Sequence, residues 1–161
     1  MSSNSWTMRL FLKHPVRVEN VPHVSVCSGD VRKVHGARDG AAPENVLSMA
    51  NMFNGARDFR GRDLSKWDTS KVANMAGMFH RAISFVGDIS AWDTSSVRSM
   101  RSMFWGASTF AGDLSRWDVG QCTSMRSMFH DAAAFNSNIA TWRIDRVTDM
   151  ENMFNSAISF R

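Results

Sequence analysis

The sequence predicts an α/β solenoid, with one short parallel strand and one helix in each repeat. Two observations carry that expectation. A set of apolar markers returns about every 25 residues: Trp67, Trp92, Trp117 and Trp142; Met75, Met100, Met125 and Met150; Phe79, Phe104, Phe129 and Phe154. Units of this period bury their apolar faces only against their neighbours. Within a unit, Val72, Met75, Phe79 and Ala82 stand at i, i+3, i+7 and i+10, the stripe of one helix face.

Taken in order, residues 1–45 read as a separate piece. Val16, Val18, Val21, Val24 and Val26 form a β-branched run broken by Pro15 and Pro22, which suggests one or two short extended segments. Gly29, Gly36 and Gly40 mark turns. This lead is either an N-terminal cap over the first repeat or an arm that docks onto a partner. Its apolar start is interrupted by Lys13, His14 and Pro15, so no secretory signal is read and no stretch suffices to span a bilayer. Arg9, Lys13 and Arg17 precede the first acid, Glu19, which keeps a transit peptide open. The expected location is intracellular or organellar, with the cell surface as the alternative for a fragment.

Residues 46–161 hold about four and a half repeats. The first copy, with Val46, Met49, Met52, Phe53, Ala56 and Phe59, runs one residue long between Phe59 and Asp63, where a bulged loop is expected. Asp68-Thr69-Ser70 offers a helix N-cap, and Asp93-Thr94-Ser95 repeats the cue. Gly87 and Gly112 end the helix before the strand candidates Asp88–Asp93 and Asp113–Asp118. Ile89 and Trp92 lie three apart and would face opposite sides of a regular strand. Either Trp92 sits on a bend that turns it inward, or the Trp column lines an exposed face. The array stops at Phe160-Arg161 with no capping repeat, as expected of a fragment or of a last coil that docks against another protein.

Composition narrows the function classes. The chain of 161 residues is one domain's worth, and ten of its twelve Met belong to the repeat, so Met serves packing rather than soft-metal ligation. The net charge of +4 is spread evenly: residues 1–45 carry six Lys/Arg against four Asp/Glu, and residues 46–161 carry thirteen against eleven. Nucleic-acid binders concentrate basic residues on one face, so no nucleic-acid partner is expected. Two cysteines make no framework; Cys122 shares a column with Val72, Val97 and Val147 and reads as a small buried hydrophobe, while nothing decides the state of Cys27. No metal or cofactor is expected. The columns Asp63, Asp88, Asp113 and Asp68, Asp93, Asp118 read as turn and cap hydrogen bonding rather than calcium or acid–base chemistry, because near-identical environments do not tune two carboxyls apart. His80 and His130 share one column two coils apart, too far for one metal ion, and read as surface histidines.

Trp105 stands in that same column, where other copies carry polar residues, and is expected to point outward. With Arg98, Arg101 and Arg126 on neighbouring units it forms the candidate protein contact, given the preference of interfaces for Trp and Arg.

The units FVGDISAWDTSSVRSMRSMF and FAGDLSRWDVGQCTSMRSMF resemble the repeat of the BspA-like leucine-rich-repeat surface proteins. The resemblance covers residues 46–161 and implies a short right-handed leucine-rich-repeat-like solenoid; for bacterial members it implies surface display, adhesion and protein binding. The expected function is a non-catalytic scaffold subunit of a larger assembly, whose protein partners cover the last coil and the N-terminal lead. The alternative is a fragment of a cell-surface adhesin or recognition protein. An enzyme is not expected, because no nucleophile–base pair, phosphate loop or metal cluster is visible.

Overall fold

A computed structural model describes residues 46–62 and 64–161; the lead of residues 1–45, Cys27 and Asp63 lie outside them. The described chain makes five coils of tight turns: coil 1 (46–71), coil 2 (72–96), coil 3 (97–121), coil 4 (122–146) and the partial coil 5 (147–161).

The expected helix does not form, and coil 2 shows why. The N–H groups of Met75, Gly77, Phe79 and Arg81 donate to the carbonyls of Ser99, Arg101, Met103 and Trp105 in coil 3, at 2.6–2.9 Å. The N–H groups between them, on Met78, His80 and Ala82, donate three residues back to Met75, Gly77 and Phe79. Ala76 N–H donates to Asn74 Oδ1. Every amide from residue 75 to residue 82 is thereby satisfied, alternately by the neighbouring coil and by its own turn. An α-helix would need all of them for bonds four residues back, so the two arrangements exclude each other.

The turns also demand a backbone that no α-helix tolerates. Two columns carry positive φ in every coil: Asn51, Gly77, Ser102, Ser127 and Asn152 at 53° to 63°, and Gly55, Arg81, Gly106, Asp131 and Ser156 at 55° to 73°. Gly77 and Arg81 are the third residues of the turns 75–78 and 79–82, where a type II turn places its left-handed residue.

The expected α/β, leucine-rich-repeat-like solenoid is therefore corrected. Among the described residues there is no α-helix, only a 3₁₀ turn at Leu64–Lys66. Parallel pairing is confined to four isolated bridges, Ser48 to Asn74, Asn74 to Ser99, Ser99 to Ser124 and Ser124 to Asp149. These bridges lie where the helix was expected, and Asp88–Asp93 is not a strand. There the Trp92 N–H donates to Ile89 O at 3.1 Å. A turn brings residues three apart to one side, so Ile89 and Trp92 are both buried.

The core is three aromatic columns edged by methionine. Phe53, Phe79, Phe104, Phe129 and Phe154 stack with neighbouring centroids 5.5–5.6 Å apart. Phe59, Phe85, Phe110, Phe135 and Phe160 form the second column at 5.4–6.2 Å. Trp67, Trp92 and Trp117 begin the third at 6.3 and 6.4 Å. Each buried indole N–H reaches the preceding coil: Trp92 donates to Leu64 O, Trp117 to Ile89 O and Trp142 to Leu114 O, at 2.8–3.1 Å. The Trp column is thus an inward one, and its polar handle ties coil to coil. Nine of the ten repeat methionines are buried, while Met150 in coil 5 is 44% exposed.

The extra residue of coil 1 falls beside Gly61, at φ 76°. A Cβ there would meet the Phe85 ring at 2.3 Å and the Gly87 backbone at 2.9 Å, so this turn admits only glycine.

Substitutions at two positions check this construction. Phe104→Ala removes a fully buried ring from the middle of its column and should cost about 3–5 kcal/mol in chemical denaturation. Ser102→Val places a β-branched residue at φ 53° and should cost about 1–2 kcal/mol, whereas Ser102→Gly should leave the midpoint nearly unchanged.

Candidate functional site

Alternation along the coil decides which side chains face outward. In coil 3, Val97, Met100, Met103, Phe104 and Ala107 point into the core, and Arg98 and Arg101 are exposed between them. No ion pair or side-chain hydrogen bond with another described residue holds either guanidinium. Arg126, one coil on from Arg101, is half-buried and paired: its guanidinium forks onto the Glu151 carboxylate, one contact at 2.9 Å and a second from the other nitrogen. The fork gives Arg126 an anionic partner that Arg98 and Arg101 lack among the described residues.

Trp105 is half-buried rather than fully outward. The His80 ring meets it edge-on at 5.2 Å and 87°, and the His130 ring lies against it at 4.7 Å and 36°. The rings that pack against it are the two imidazoles of its own column. His80 Nδ1 lies 3.0 Å from Asn54 Oδ1, which extends the column to coil 1. His130 Nδ1 is buried 3.0 Å from an Asp131 carboxylate oxygen, outside hydrogen-bonding geometry. Neither histidine is the free surface group that its position in the sequence suggests. Burial, reinforced by the charge of Arg81, pushes the His80 pKa below its usual 6.5.

The acidic columns do what short polar turns do. Asp68 Oδ1 accepts from the amide and hydroxyl of Ser70, Asp88 from those of Ser90, and Asp93 from those of Ser95. Asp113 accepts from the Ser115 amide, and Asp118 from the Gly120 amide. The Ser70 hydroxyl and the Ser90 hydroxyl, each ahead of its own amide, hold Asp68 and Asp88 below the usual 3.8; for Asp113 the Ser115 amide leads. Among the described residues no group of three or more His, Cys, Asp or Glu is placed to hold a metal ion. Cys122 is a buried free thiol whose pKa burial raises, in the valine column as its position suggests.

Residues 47–161 match the family model described as "Mycoplasma protein of unknown function, DUF285". The chain belongs to that family. No curated protein and no solved structure matches it. Among the described residues of this DUF285 member, no helix is long and apolar enough to cross a membrane.

A second surface feature of the DUF285 chain lies at the corner that leads from one coil into the next. Thr69 donates its hydroxyl to Asp93 O at 2.9 Å, and Thr94 donates to Asp118 O at 2.8 Å. Both threonines are 1% exposed, so each corner is pinned to the one after it. Val119 takes their place in coil 3 and has no hydroxyl to give, so the pin stops there. In coil 4 the corner reads Arg143-Ile144-Asp145 instead of Asp-Thr-Ser, and Ile144 is 44% exposed. An open cleft of about 680 Å³ lies at this corner, lined by Arg116, Arg143 and Arg146 among others. Val119, buried in the threonine column, is itself part of the lining.

The shifted groups set a two-step response to acid. A His80 pKa below 6.5 means that the unfolded chain takes up this proton first, so its contribution to stability is complete above 6.5 and is lost as pH falls below that value. The contributions of Asp68, Asp88 and Asp113 are complete above 3.8 and are lost as pH falls through their lower folded values. Urea midpoints measured as a function of pH should therefore decline in two stages, and His80→Gln should flatten only the first.

Proposed function

We propose that this DUF285 chain is a non-catalytic protein-binding module, an accessory subunit that contributes surface to a larger assembly. One observation carries the reading. The inward Met, Phe and Trp columns keep one residue type from coil to coil, while the outward columns do not: Ala76, Arg101, Arg126 and Glu151 occupy one position, and Asn54, His80, Trp105, His130 and Asn155 another. A frame that fixes the backbone by hydrogen bonds and leaves the outward chemistry variable holds unlike side chains at set spacing, which suits recognition of another surface. Arg98 and Arg101, exposed and without ion pairs among the described residues, are the available cationic contacts, and Trp105 is the nearby aromatic one.

Recovery of the intact chain from its native source tests the proposal. The wild type should come out in a stable complex, and the double charge reversal Arg98→Glu with Arg101→Glu should weaken that complex about ten-fold or more while leaving the thermal midpoint unchanged. A well-behaved isolated monomer, or a complex indifferent to the reversal, would overturn it. The motif resemblance to BspA-like surface proteins favours a second reading, a recognition module displayed at a cell surface; recovery within a longer secreted chain would decide for that one.

A further inference from the structure

The cleft at the coil 4 corner shares no residue with the Trp105 face. We propose that it binds an acidic peptide segment, through carboxylates held by Arg116, Arg143 and Arg146.

Three observations support that chemistry. The corner reverses charge: Asp68, Asp93 and Asp118 occupy the column in which coil 4 places Arg143. The guanidiniums around the cleft are weakly engaged. Arg146 donates to a neutral partner, Gln121 Oε1, at 2.7 Å, and so keeps its charge unneutralised. Arg143 meets Asp145 at 3.7 Å with both side chains about four-fifths exposed, a pairing that an incoming carboxylate displaces at little cost. Arg116 is exposed and acts on the Asp113 carboxylate only through its charge, without a direct ion-pair contact. Finally, the lining supplies neutral polar groups beside the charges, including the hydroxyls of Ser95 and Thr141.

Arginine forks take carboxylates in two-pronged fashion, and the Ser95 and Thr141 hydroxyls, whose protons go to Asp93 Oδ1 and Ser115 O, keep lone pairs that can accept from the amides of an extended chain. The cleft is open and, at about 680 Å³, far roomier than one ion needs, which suits a run of acidic side chains over a lone anion. Asp118 and Asp145, also in the lining, oppose an acidic ligand, so binding rests on the three guanidiniums outweighing these two carboxylates.

Fluorescence anisotropy with a labelled hexaglutamate peptide tests the assignment on the full chain. Binding should saturate, weaken steeply with added salt, and fall at least ten-fold in the double variant Arg143→Glu with Arg146→Glu. The matched reversal Arg60→Glu with Arg62→Glu, which changes net charge equally but lies outside the cleft, should leave affinity unchanged. Equal losses in both double variants would reduce the effect to net charge and overturn the site. Preference for inorganic phosphate or a sulfated saccharide over hexaglutamate would overturn the choice of a peptide. Because this experiment uses a defined probe and cleft variants, its failure leaves the Trp105-face proposal standing, and the reverse also holds.

Discussion

The structure depends on a competition for backbone amides. From residue 75 to residue 82 every N–H has two possible destinations, a carbonyl four residues back or a partner offered by the next coil and the local turn. Once neighbouring coils are in place the second set is complete, and it leaves no amide unpaired. The arrangement is cooperative for that reason. One coil alone would offer its outward-going donors only to water, whereas each added coil satisfies a row of them and covers a row of rings. Pairing and burial therefore grow together, and neither is available to an isolated unit.

Much of this was legible in the residues, and the part that was not has a physical cause. The inward columns could be read directly, because an apolar residue at a fixed position in every copy has nowhere else to go. The cysteine in the valine column and the aspartates of the turns followed the same logic. The helix did not survive because serial four-residue turns also place apolar residues at spacings of three and four. A contrary signal was present: Gly77 and Gly106 fall inside the expected helix, and Asn, Ser or Asp fill most of the remaining copies of their columns. These are the residues that accept positive φ, and two such positions per repeat argue for turns.

The candidate surfaces were harder to read. Trp105 was visible as an outlier, but its neighbours were assigned along the sequence when the column was the better guide. Coils one strand spacing apart, about 4.8 Å, bring His80 and His130 onto its two sides. The corner cleft was less legible still. It is lined by residues from several coils, and the hydroxyl pin that Thr94 makes one coil earlier has no counterpart at Val119.

Gly61 gives the stack a seam. The single extra residue of coil 1 is absorbed there without disturbing the bridge from Ser48 to Asn74 or the ring contact between Phe59 and Phe85 on either side of it. Length variation at this turn stays local, whereas one residue added inside 72–82 would shift every donor off its acceptor. Such an array can change by whole coils, or by small insertions at the seam, while its outward columns keep their alignment. In a molecule built this way, the permitted sites of insertion are written by the hydrogen bonds rather than by surface exposure alone.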